Sequence, residues 1–231
     1  MTRLSSRGIV LLALTAACPA SPALTAEPVP CDRPGIFVTT DDPELHDRTC
    51  AVASAALPRF EACHLKQYHP VNFHFNDAIL PSNRICLGLY HAGTNQVELL
   101  TPEAFGEAHL QSEFCEGLSE DAHFDSIIVH ELTHALLDQV PGGTSRYFVD
   151  QEYIAYAMQL DLLPEAERAT MLSGTELAKA PGLERFNELV LMFSPYTFAV
   201  SAWQHFSEPG NGCDFVGQIV RKEQTFWLDP S

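Results

Sequence analysis

The sequence predicts an α+β fold, and three observations carry that prediction. Four short runs between residues 36 and 100 have the β-branched or alternating character of strands, while capped helical patterns dominate beyond Pro102. The third is length: 205 of the 231 residues remain once an N-terminal export signal is set aside, which suits one domain, or one domain of two lobes, with a sizeable core.

The signal comes first. Arg3 and Arg7 precede an almost wholly apolar run from Gly8 to Ala17, and small residues and prolines follow up to Pro30. The run is shorter than the roughly 20 residues a membrane-spanning helix needs. Residues 1–26 therefore read as a secretory signal peptide, with cleavage after Ala23 or Ala26, and residues 27–231 as the mature domain. Thr15-Ala16-Ala17-Cys18 resembles a lipoprotein signal, but a lipobox would carry Leu where Thr15 stands, so the expected protein is periplasmic or extracellular without a lipid anchor.

Cysteine usage agrees with export. Cys31, Cys50, Cys63, Cys86, Cys115 and Cys213 remain after the signal, and an even number in an exported chain predicts three disulfides of unspecified connectivity. None lies in a Cys-x-x-Cys pair, so a cysteine zinc ribbon is not indicated. Loss of two Arg and no acid with the signal moves the net charge from −17 to −19. Such a surface disfavours nucleic acid and anionic membranes as partners.

Taken in order, Ile36–Thr40 is a strand, and Asp41 or Asp42 followed by Pro43 starts a helix from Glu44 to about Leu57, where Pro58 bends or ends it. Val71–Phe75, Ile85–His91 and Gln96–Leu100 are further strands, joined in part by a hairpin at Ala92-Gly93-Thr94-Asn95. Ser119 or Asp121 caps the next helix, which ends at Pro141-Gly142-Gly143, and another follows from about Tyr147 to Leu162. The sheet-containing half is thus about 27–118 and the helical half about 119–231.

The helix after Ser119 carries the chemistry. His130 and His134 are four apart, on one helical face, close enough to share a metal ion, while Glu131 can serve as a general base toward water. An ordinary core helix avoids charge at its centre unless the charge is satisfied, yet Ile127, Ile128, Val129, Leu132, Leu136 and Leu137 surround these residues. A third ligand is sought on the following helix. His134 lies about six residues before the turn, roughly 9 Å along the axis, and returning six residues from Arg146 arrives at Glu152. Asp150 is the rival, but Glu152 projects from the stripe of Val149, Ala155 and Tyr156, whereas Asp150 shares a face with Asp161.

His130-Glu131-Leu132-Thr133-His134 followed by Glu152-Tyr153-Ile154-Ala155 resembles the gluzincin branch of zinc metallopeptidases, in particular the peptidase MA-like group related to thermolysin and the M1 aminopeptidases. Leu137 and Val140 stand where the longer metzincin motif would have Gly and a third His. Tyr153 departs from the Gly that often follows the family's third ligand, and the resemblance covers only about residues 119–220. It implies a zincin-like fold, in which a small, mostly antiparallel sheet packs on the motif helix, an edge strand borders the substrate cleft, and a helical C-terminal lobe closes the other side. It also implies zinc on His130, His134 and Glu152, with Glu131 as the base in peptide-bond hydrolysis. Tyr196, or alternatively His205, is the implied oxyanion stabiliser.

No Gly-x-Ser-x-Gly elbow, phosphate-binding loop or dinucleotide fingerprint occurs. The competing reading is an exported zinc-binding protein that hydrolyses nothing, which would have no use for Glu131. His64, His69 and His74 are spaced like a second metal site but fall across a loop and a strand, and Trp203, Phe206 and Phe215 read as core.

Overall fold

A computed structural model describes residues 26–79, 86–143, 147–173 and 182–227. Residues 1–25 of the signal sequence, with Cys18, and Ile85 lie outside these residues, as does the side chain of Cys115. The described residues form an α+β fold with a five-stranded sheet: β1 (Val29–Pro30), β2 (Ile36–Thr39), β3 (Val71–Asn76), β4 (Gly88–His91) and β5 (Gln96–Leu100). Strand order is β1-β2-β3-β5-β4.

The sheet is mixed, which corrects the mostly antiparallel arrangement expected. β1 with β2 and β4 with β5 run antiparallel, while β2 with β3 and β3 with β5 run parallel. The cause is the helix α1 (Pro43–Ala62), which carries the chain back across the sheet so that β3 starts beside the start of β2. The hairpin then places β4 outside β5, as an edge.

α1 begins as expected, with Asp42 accepting from the amides of Glu44 and Leu45 and Pro43 in the first turn, but it runs on through Pro58. Pro58 is exposed, so the carbonyl it leaves without an intrahelical donor lies on the watered side of the helix.

Alternation in the strands sends Ile36, Val38, Val71, Phe73, Val97 and Leu99 to one face, where they join Leu57 and Phe60 of α1 in the core. The motif helix α3 (Glu120–Asp138) packs on α1, β4 and β5 and brings Ile128, Leu132 and Leu136 to the same core. Ser119 caps it by accepting from Ala122 N–H. Arg48 of α1 clamps the start of α3, with contacts of 2.6 Å to Asp125 and 2.8 Å to Asp121 and its guanidinium over Phe124. α2 (Pro102–His109) precedes α3 and packs against it.

Behind α3 lies α4 (Phe148–Asp161), and behind α4 lies α7 (Pro195–Ser207). Shorter helices α5 (Glu165–Ser173), α6 (Glu188–Phe193) and α8 (Gly212–Val220) complete the chain. Phe206 and Phe215 are buried, as expected, and Trp203 is partly so. No helix among the described residues is long and apolar enough to cross a membrane.

Cys31 bonds Cys50, and Cys63 bonds Cys213. The expectation of three disulfides is corrected at Cys86, a free thiol that donates to the carbonyl of Gly88. Cys63–Cys213 spans 150 residues and ties the end of α1 to α8, whereas Cys31–Cys50 spans 19. On loop entropy the long link stabilises by about 2 kcal/mol more than the short one. Cys63→Ser with Cys213→Ser is therefore expected to lower unfolding free energy by more than Cys31→Ser with Cys50→Ser, as measured by denaturant titration. Alkylation of the denatured, unreduced protein should label Cys86 and leave those four cysteines unlabelled in mass spectrometry.

Candidate metal centre

Between Ser126 and Leu137 α3 is buried almost all round, so the polar groups of that stretch need partners within the protein. His130, Glu131 and Glu152 are each 7 % exposed. The α3 and α4 helices pack side by side, and the residues that face across the seam are His130 and His134 from one and Glu152 from the other.

Their ligand atoms form a tight triangle. His130 Nε2 and His134 Nε2 are 3.2 Å apart, and Glu152 places one oxygen 3.5 Å from His130 Nε2 and the other 3.3 Å from His134 Nε2. An ion bonded tetrahedrally at about 2.0–2.1 Å holds its ligand atoms roughly 3.3–3.4 Å from one another. The three side chains can therefore hold a metal ion with little movement.

The tautomer of His130 is fixed by a chain of hydrogen bonds. Ser126 donates its hydroxyl to the carbonyl of His123 and so accepts from the amide nitrogen of Gln159, which turns the Gln159 oxygen toward His130 Nδ1 at 2.9 Å. Nδ1 carries the proton, and Nε2 presents a lone pair to the triangle. Burial would raise the Glu152 carboxyl, but the imidazoles of His134 and His130 outweigh it and hold the group well below the usual carboxylate range. Burial likewise opposes charge on His134, yet Glu152 and, more weakly, Glu131 raise its pKa.

Glu131 points away from the triangle toward the sheet. Its carboxylate accepts from the backbone N–H of Tyr90 at 2.8 Å. Leu100 N–H bonds the Leu87 carbonyl, so antiparallel alternation turns the main-chain groups of Gly88 and Tyr90 to the free edge of β4. Gly88 permits the close approach, since a Cβ there would meet Glu131 Cγ at 2.7 Å and Ile127 Cγ2 at 2.8 Å. Burial pushes the Glu131 carboxyl above its ordinary value, with Glu152 adding to the effect and the two histidines and Tyr90 N–H opposing it.

A cleft of about 640 Å³ opens over these groups. β4 forms one wall, Phe114 and Pro195 contribute to another, and Tyr156 and Gln159 lie beside the triangle. Tyr156 is one turn beyond Glu152, with its ring 4.6 Å from that of His130 and edge-on to it. Burial first, then Glu152, Glu131 and Glu113, keep its phenol protonated far above the ordinary range.

His130, Glu131, His134 and Glu152 come together, whereas Tyr196 does not join them. Its hydroxyl donates to the carbonyl of Met171, and it packs behind Phe114, outside the residues that line the cleft. His205 is also elsewhere, with Nδ1 2.7 Å from the buried hydroxyl of Tyr153. Asp150 accepts from Thr225 Oγ1 and Phe226 N–H and so anchors the C-terminal segment. Sequence reasoning missed Gly88, Tyr90, Tyr156 and Gln159. Tyr156 and Gln159 could have been found at four and seven residues beyond Glu152, on its helical face. Nothing local marks Gly88 or Tyr90, which meet the motif across a separation of 41 residues in the case of Tyr90 and Glu131.

The sequence profile of the Family of unknown function (DUF6639) matches residues 36–229. The chain belongs to that family. The matched span begins at β2 and contains every residue of the centre and its cleft. No curated protein and no solved structure matches the chain.

Gly88→Ala is expected to destabilise the protein by about 1–3 kcal/mol, the usual cost of forcing a methyl group into a filled space. Urea unfolding measures it, and an unchanged midpoint would mean that helix and strand do not meet so closely.

Proposed function

We propose that this chain is an exported zinc metallopeptidase, and the observation that supports it most is the convergence of His130, His134 and Glu152 beside a separately held Glu131. Two histidines and a carboxylate are a donor set that zinc accepts in hydrolytic sites, with a fourth position left open. Bound there, zinc would supply Lewis acidity, lowering the pKa of water and polarising a carbonyl. Two disulfides are compatible with export.

The remaining steps belong to the chain's own side chains. Glu131 accepts the proton of the attacking water and returns it to the leaving amine, and burial has already moved its carboxyl toward the pH at which such a base works best. Tyr90 N–H holds that carboxylate at a fixed height through main chain, so the base keeps its place whatever side chain stands at position 90. Tyr156, a protonated phenol beside His130, takes the oxyanion-stabilising role first expected of Tyr196. β4 is an edge strand that borders the cleft, where the main chain of an extended peptide could pair.

Glu131→Gln should retain zinc and fold while turnover of a peptide library falls by about 10²–10⁴-fold. Tyr156→Phe should retain zinc and lose about 10²–10³-fold in kcat. A wild type that cleaves nothing across a broad library would favour a zinc-binding protein without hydrolytic activity, and cleavage undiminished in Glu131→Gln would refute the mechanism.

Acid should weaken the centre. Zinc requires neutral imidazoles, and the raised pKa of His134 means that protons compete for the site as pH falls through that value. Zinc affinity, read by chelator competition between about pH 8 and pH 5, is expected to be full at the upper end and to decline steadily toward the lower.

A further inference from the structure

The opposite face of the sheet carries a second convergence that the proposed hydrolytic centre does not use. Strand alternation sends Val97, Leu99 and Phe73 to the core and leaves Glu98 and His74 on the other face, paired across β5 and β3. Leu89 stands opposite Glu98 on β4, and His91, two residues along, lies on the same face. His91 Nε2 is 2.9 Å from Glu98 Oε2, the His74 and His91 rings are stacked with centroids 6.1 Å apart, and one ligand atom from each of the three lies within 4.8 Å of the others.

Glu98 is oriented as a ligand would need to be. Its other oxygen accepts from Asn76 Nδ2, and its side chain is 12 % exposed although it lies on the outer face. The three residues stand on three hydrogen-bonded strands, so their backbones are held without help from a loop. A surface His–Glu hydrogen bond needs one imidazole, and here a second is stacked against the first.

We propose that His74, His91 and Glu98 form a second site for a divalent first-row metal ion such as zinc, independent of the centre on α3. Two imidazole nitrogens and a carboxylate suit that class of ion, and water would complete the coordination. The site ties the edge strand β4 across β5 to β3. His91 directly follows Tyr90, whose N–H holds Glu131, so an ion here braces the wall of the cleft from its outer side.

Equilibrium dialysis of the mature protein against zinc chloride tests this. Wild type should bind two equivalents, His74→Ala with His91→Ala one, and His130→Ala with His134→Ala the other one. One equivalent in wild type that vanishes with His130 and His134 would overturn the second site and leave the first intact. One equivalent in wild type that instead vanishes with His74 and His91 would support the second site and remove the first. A second measurement needs no variant: zinc should protect His74 and His91 from diethyl pyrocarbonate by at least several-fold in mass-spectrometric footprinting. Equal modification with and without zinc would also overturn the proposal.

Discussion

The distance between the edge strand and the motif helix is the constraint on which the centre depends. Glu131 sits in the buried middle of α3, where an unpaired carboxylate would be expensive, and its partner is a main-chain amide of β4 rather than a side chain. That amide is free because β4 is an edge, and it is near because position 88 has no Cβ. The end of α3 and the residue after it hold the spacing. Asp138 accepts from the Tyr90 hydroxyl and Gly93 N–H, while Gln139 accepts from the amides of Tyr68 and His69 and donates to Asn95. The hairpin turn is thereby fastened to the same helix that carries His130, Glu131 and His134.

Two carboxylates and two imidazoles buried around one stretch of α3 would be a poor way to stabilise a fold. The desolvation cost of such groups commonly equals or exceeds their mutual attraction. The surrounding structure spends several bonds on arranging them: the Ser126–Gln159–His130 chain sets one tautomer, and Tyr90 sets the direction of Glu131. Buried polar groups arranged in this way around a cleft are what the proposed hydrolysis would require. The pKa directions agree, since Glu152 is pulled down by the imidazoles while Glu131, one residue from His130, is pushed up by burial. Two carboxylates whose environments separate their proton affinities are suited to two different tasks.

Much of this was legible in the sequence because it is local. Helical spacing places His130 and His134 together, the turn after Gln139 returns the chain to Glu152, and strand-like composition or alternation marks β2, β3 and β5 within a residue at each end. What depended on distant pairing was not legible. The parallel pairing of β2 with β3 follows from the crossover of α1, and the position of β4 outside β5 is visible only once the sheet is assembled. Tyr196 follows a helix break, the place expected for an oxyanion donor, but its hydroxyl is captured by the Met171 carbonyl, and it is Tyr156 that stands beside His130. His74 shows the same limit. Sequence spacing groups it with His64 and His69, whereas strand register sets it beside His91 and Glu98.

The centre also depends on how the helical half is held to the sheet half, because Glu152 belongs to α4 and the histidines to α3. Asp150, two residues before Glu152, is fully buried and receives the C-terminal segment at Thr225 and Phe226. At the far end of α4, Asp161 pairs with Arg59 of α1 at 2.6 Å. Between them Tyr153 is enclosed by Phe186, Phe215 and Phe226 and meets His205. Tyr153, next to Glu152, lies outside the lining of the cleft and is the largest fully buried side chain among the described residues. Both ends and the middle of α4 are pinned. A carboxylate carried on a helix so restrained reaches the two imidazoles at ligand spacing without any loop having to order, and that rigidity is what a site built across two helices requires.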